Sequence, residues 1–99
     1  MTQLGIVKRS IVRADKGAVE RLSGFGVATI HEAMGRIGLM KPYMRPIYTG
    51  AHVCGSAVTV LLHPGDNWMM HVAAEQLQPG DVVVAAVSSD NADGFFGDL

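Results

Sequence analysis

The stretch Ser88-Ser89-Asp90-Asn91-Ala92-Asp93-Gly94-Phe95-Phe96-Gly97-Asp98-Leu99 holds the residues best suited by type and spacing to chemistry. Gly97-Asp98-Leu99 is the sharpest candidate. Successive backbone N–H groups at a helix start cradle a carboxylate, glycine permits close approach, and an adjacent aspartate can hold a water or relay a proton. The plainer reading is a loop-to-helix junction with Asp98 in a first turn, where the helix dipole favours it. Just upstream, Asp90, Asn91 and Asp93 are oxygen donors spaced like the start of a calcium loop. Two phenylalanines follow Gly94 and no glutamate closes the loop, so turn residues bonding their own backbone are the better reading.

The remaining reactive side chains are dispersed. His31, His52, His63 and His71 form no His-x-x-x-His pair and no Cys–His metal spacing. His31, beside Glu32 at a helix start, is expected at the surface, and His71 half-buried or exposed on a later helix. Cys54 lies in an apolar, strand-like run and reads as inert core, with no partner for an internal disulfide. Trp68, Met69 and Met70 read as core or subunit contact ahead of any cofactor box. Gly24-x-Gly26 has neither a preceding strand nor a third glycine, so it is not a dinucleotide fingerprint.

The elements that must position the final loop follow from pattern. Val82-Val83-Val84-Ala85-Ala86-Val87 predicts a buried parallel strand, and ligands of α/β sheets sit beyond the carboxyl ends of such strands. Residues 52–62 are β-branched and apolar and predict a strand buried on both faces. Between the two, Asp66 is placed to cap a helix over 67–77, with Met69, Val72, Ala73 and Leu77 at helical spacing. The two Pro-Gly-Asp triplets, at 64–66 and 79–81, are turns and not a repeat. Strand, helix and strand with short connections make a βαβ unit with a parallel pair.

Upstream, Asp15 is expected to N-cap a short helix reaching Ser23, with Val19 and Leu22 on one face and Gly24-Phe25-Gly26 as its stop. Thr29 and Glu32 have capping-box spacing, which predicts a second helix from Ile30 to Gly38, with Ile30, Met34 and Ile37 sharing a face. Residues 39–50, with two prolines and no period, read as an extended connection.

Bulk composition narrows the class. The 99 residues suit one small domain, 48% are hydrophobic and 17% charged, so the chain is globular and not disordered. A net charge of −1 with scattered Lys and Arg gives no support to nucleic-acid binding. No leader-like or membrane-spanning run is present, and one cysteine suits a reducing compartment, so the expected setting is cytoplasmic.

Three segments together carry a resemblance: residues 26–33 (GVATIHEA), residues 55–60 (GSAVTV), and His63-Pro64-Gly65-Asp66-Asn67 with Pro79-Gly80-Asp81-Val82-Val83-Val84. In order and spacing they resemble the N-terminal half of the 4-carboxy-4-hydroxy-2-oxoadipate / 4-hydroxy-4-methyl-2-oxoglutarate aldolases, of the regulator of ribonuclease activity A-like superfamily. The resemblance runs from about Ser10 to Leu99. It is closer to the aldolase branch through residues 66–71 (DNWMMH) and the ending Asp93-Gly94-Phe95-Phe96-Gly97-Asp98-Leu99.

The resemblance implies a partial swivelling β/β/α domain, α/β in class, of which residues 1–99 are an N-terminal portion with an incomplete sheet. It implies a class II pyruvate aldolase of aromatic-compound degradation, with oxaloacetate decarboxylation as a side activity. Mg2+ or Mn2+ would assist, its ligands lying beyond residue 99 and none within this chain. Gly97, Asp98 and Leu99 match a Gly-[Asp/Glu]-Leu-Leu loop, lacking only the second leucine. Their implied roles are carboxylate binding by backbone N–H, with Asp98 positioning a water or moving a proton. The implied partners are a small keto-acid and further copies of the chain, in homotrimers or homohexamers, with no nucleic acid and no membrane. The rival expectation is a non-enzymatic binding module like the ribonuclease regulator.

Overall fold

The structure is a computed structural model, and it describes residues 5–89. Its elements are α1 (Lys16–Leu22), α2 (Val27–Ala33), β1 (Ser56–Leu62), α3 (Trp68–Gln76) and β2 (Asp81–Val87). The chain divides into two compact units, one running through Arg13 and resuming at Ser56, the other spanning Ala14–Gly55.

The first unit is the βαβ module that the pattern predicts. β1 and β2 pair in parallel, from Ser56 opposite Asp81 to Leu62 opposite Val87, and α3 makes the crossover. Strand pleating sends alternate side chains to opposite faces. Val58, Val60 and Leu62 are therefore buried, Leu62 to 1% exposure, while Ala57, Thr59 and Leu61 face outward. Ala73 of α3 forms one core cluster with Val60 and Leu62, with Met69, Met70 and Val83 packed against it. The small Cβ of Ala73 is what lets the helix backbone approach the sheet.

Two expectations for the strands are corrected. β1 begins at Ser56, four residues later than residue 52, and is buried on one face only. β2 is half-buried over its first four residues and exposed over its last three. Apolar composition alone does not distinguish one covered face from two. α3 packs on β1, and the outward-facing Ala57, Thr59 and Leu61 of that strand stay exposed.

Both Pro-Gly-Asp triplets make the same turn. Asp66 N–H donates to the His63 carbonyl at 3.1 Å, and Asp81 N–H to the Gln78 carbonyl at 3.1 Å. Proline supplies the first central residue, and glycine the positive φ at the second, +77° at Gly65 and +91° at Gly80. The aspartate that follows has a different fate each time. Asp66 Oδ1 accepts the Trp68 N–H at 2.9 Å and opens α3, so Asp66 supplies the bond although Asn67 is the cap residue. Asp81 opens β2 and accepts from Gln78 N–H at 2.8 Å.

Arg13 ties this unit together. Its Nη2 donates to the Gln76 carbonyl at 2.7 Å, at the C-terminal end of α3 where carbonyls lack helical partners. Nε and Nη2 also donate to Asp81 Oδ1 and Oδ2, at 3.2 and 2.7 Å. One guanidinium thus joins the N-terminal segment, the end of α3 and the first residue of β2.

In the second unit α1 forms as expected, the Ala18 N–H donating to Asp15 Oδ2 at 2.9 Å. α2 departs from expectation. It starts at Val27 with Gly26 as the cap residue, and Thr29 lies inside the helix without a capping role. It stops at Ala33 because Gly35, at φ +78°, reverses the chain. Arg36 N–H then donates to the His31 carbonyl at 2.9 Å and Gly35 N–H to the Glu32 carbonyl at 3.0 Å, the two bonds of a Schellman cap. Ile30, Met34 and Ile37 still converge, around a hollow of about 130 Å³ shared with Val27 and Leu39. His31 lines it and is half-buried, not at the surface. The connection over 39–50 holds no helix or strand, as the pattern predicts.

Candidate functional site

Gly97, Asp98 and Leu99, the expected substrate-binding loop, lie outside the described residues, as do Asp90, Asn91 and Asp93. What is described is the platform directly before them, the carboxyl ends of β1 and β2. The strand pairing closes with Leu62 opposite Val87, and the Ser88 N–H carries it one step further by donating to the Leu62 carbonyl at 2.8 Å. The next residue of each strand, His63 and Ser88, is thereby brought side by side. His63 Nδ1 lies 3.0 Å from Ser88 Oγ, the direction of the hydrogen bond following the ring tautomer. Both side chains are exposed.

The backbone fixes this histidine from two sides. Its carbonyl accepts the Asp66 N–H of the Pro64-Gly65 turn, while Leu62 just before it is buried and paired. His63, Asp66 and Trp68 stand along a hollow of about 400 Å³ walled by Val58, Val60 and Met69. The volume is within the range of small-ligand sites, and the lining mixes apolar side chains with Lys8, Thr59, His63, Asp66 and Gln76.

The other candidates are placed plainly. Cys54 is exposed and precedes β1, its Sγ 3.5 Å from the Val19 carbonyl, so the expectation of inert strand core is corrected. Burial of β1 begins only where α3 covers it, and residue 54 lies before that. Trp68 is 65% exposed and not core, whereas Met69 and Met70 do pack on the core. His71 is exposed on α3. His52 is exposed before β1.

Sequence reasoning treated His63 only as part of a turn and left Ser88 and Arg13 without a role. The usable signal for the first two was positional, since each directly follows an apolar strand run and two parallel strands in register end together.

Among the described residues the marked electrostatic pair is Arg13 with Asp81. The hydrogen bonds from Arg13, then the Gln78 N–H, hold the Asp81 carboxyl below its ordinary range against the opposing effect of burial. The same carboxylate pushes the Arg13 guanidinium up. This pair stands at the amino end of β2, seven residue positions from Ser88, or about 23 Å from the His63–Ser88 end. Its work is structural.

Among the described residues no three His, Cys, Asp or Glu side chains gather closely enough to hold a metal ion together. Nor is any described helix long and apolar enough to cross a membrane.

The parallel βαβ unit is the one that the pattern predicts, and it agrees with the α/β class expected for the chain. In a comparison with protein families, the family model RraA-like, described as Aldolase/RraA, matches residues 27–99, and the chain belongs to that family.

Proposed function

We propose that this chain contributes the carboxyl-end platform and the carboxylate-binding loop of a pyruvate-releasing aldolase. The substrate class is a 4-hydroxy-2-oxo dicarboxylate or tricarboxylate, such as 4-hydroxy-4-methyl-2-oxoglutarate or 4-carboxy-4-hydroxy-2-oxoadipate. The observation that carries the reading is the shared ending of β1 and β2. It delivers both strands to one edge, nine residues before Gly97-Asp98-Leu99 in a family-matched sequence.

In this reading the backbone N–H groups of Gly97 and Leu99 hold the pyruvyl carboxylate. Asp98 positions a water or moves the proton that accompanies C–C cleavage. Oxaloacetate decarboxylation would draw on the same stabilised enolate. A divalent cation, Mg2+ or Mn2+, belongs to the proposal; when bound it would stabilise negative charge on the oxo acid. Its ligands would come from residues other than those described, and the assembly would be a homotrimer or homohexamer.

The test is pyruvate release, followed by coupled lactate dehydrogenase, from the full translation product of the gene with and without Mg2+. Cation-stimulated release from either hydroxy-oxo acid supports the aldolase. Absence of release from both, together with tight association with a ribonuclease, would establish the rival binding-module reading instead.

A further inference from the structure

The platform contains one polar pair to which the proposed cleavage assigns no role, His63 with Ser88. Register places them together, since each is the first residue beyond the last paired position, Leu62 opposite Val87. A 3.0 Å contact to Ser88 Oγ occupies Nδ1 of the ring, and no other hydrogen bond to that ring is found among the described residues. The backbone on either side is held by the Ser88–Leu62 and Asp66–His63 hydrogen bonds, at 2.8 and 3.1 Å. A histidine fixed at both backbone and one ring nitrogen is oriented, and its second nitrogen is the group left to meet a ligand.

We propose that His63, oriented by Ser88, contacts an oxygen of a small 2-oxo acid at the carboxyl end of the β1–β2 pair. When the Ser88 hydroxyl donates to Nδ1, the ring proton resides on Nε2 and Nε2–H becomes a donor. A 2-oxo acid presents adjacent carboxylate and carbonyl oxygens, both acceptors. His63 stands beside the hollow of about 400 Å³, which has room for a small acid. Asp66, the neighbouring carboxylate, already accepts the Trp68 N–H through Oδ1, which disperses part of its charge. Ser88 is accordingly a positioning residue and His63 the ligand-contacting one. The inference rests on the site reading above and adds a residue to it.

A merely structural pair would extend the strand ladder and matter to stability alone. Ligand binding separates the two roles. The experiment titrates the 99-residue chain with oxalate, which reproduces the adjacent oxygens of a 2-oxo acid, and follows the histidine ring and backbone amide signals by NMR. Expected are saturable shifts of the His63 ring signals and a Kd about tenfold weaker in His63→Ala, the loss typical of a hydrogen bond to a charged group. Ser88→Ala should weaken binding several-fold, and Ser88→Thr, which keeps the hydroxyl, should restore it.

If oxalate moves backbone amides of the final loop but leaves the His63 ring unmoved, or binds equally well to a folded His63→Ala, this inference is overturned and the site reading stands. If the unaltered chain shows no saturable oxalate response at all, this inference is overturned, and the site reading is then decided by pyruvate release from the full translation product. Should His63→Ala not fold, the titration of the unaltered chain and of His63→Gln decides the matter.

Discussion

Asp81, the first paired residue of β2, is gripped by Arg13 from ahead of the first helix, across 68 positions of sequence. The fork of the guanidinium meets both carboxylate oxygens, a geometry that lysine cannot reproduce. Since Arg13 also caps the carbonyl of Gln76, the strand start and the helix end are tied to one side chain. The two side chains are 19% and 4% exposed, so the pair is sheltered from full solvent screening.

The pair sets a pH dependence whose sign is fixed by the lowered Asp81 pKa. The unfolded chain binds this proton more readily than the folded one, so stability from the pair is full above the ordinary carboxylate value, about 3.9. It is lost as pH falls through the lower folded value. Urea midpoints of the chain and of Asp81→Asn should therefore differ at pH 6, the variant being less stable, and draw together as pH falls below the ordinary carboxylate range. Equal midpoints at pH 6 would remove the pair from the stability of the fold.

Gly35→Ala should destabilise the chain by about 1–2 kcal/mol, the cost of placing a Cβ residue at positive φ. Nothing lies within 4 Å of the added Cβ, so conformation and not collision sets the penalty. Gly35→Asn, better tolerated there, should lose less. Thermal unfolding followed by circular dichroism checks the ranking, and an alanine variant as stable as the parent would contradict the Schellman cap.

Asp98→Asn in the full translation product should lower kcat about a hundredfold or more while leaving KM near its original value. Asparagine keeps the shape and reach but cannot take the proton. As only a first-turn charge, Asp98 would cost about 0.3–1 kcal/mol of stability on substitution and little activity. Steady-state kinetics beside a melting curve tells these apart.

The 99-residue chain is expected to associate in solution. Ile47 and Val12 are 95% and 93% exposed, and Leu61 on the outer side of β1 is 62% exposed. Apolar surface of this extent favours contact with further copies. Light scattering over a tenfold concentration range should show mass rising with concentration, and a constant monomer mass would refute it.

Much of this protein was legible one element at a time, because the causes are local. Aspartate at position 15 caps whatever helix follows it, and proline then glycine impose the same turn at 64–65 and 79–80 wherever they occur. Runs of β-branched residues flanking a helical period were sufficient for a parallel βαβ unit. Thr29 and Glu32 misled because a capping box competes with Gly26 upstream and with the glycine reversal at Gly35, and the latter two set the helix ends. Which face of β1 is covered, why Cys54 is exposed, and how Arg13 finds Asp81 depend on where other elements lie. The same holds for His63 and Ser88, 25 positions apart, which touch only because two strands run parallel in one register. Composition and spacing along the chain carry no record of that register; it is decided when α3 closes over Val60 and Leu62, since a shift by one residue would turn that row out to water.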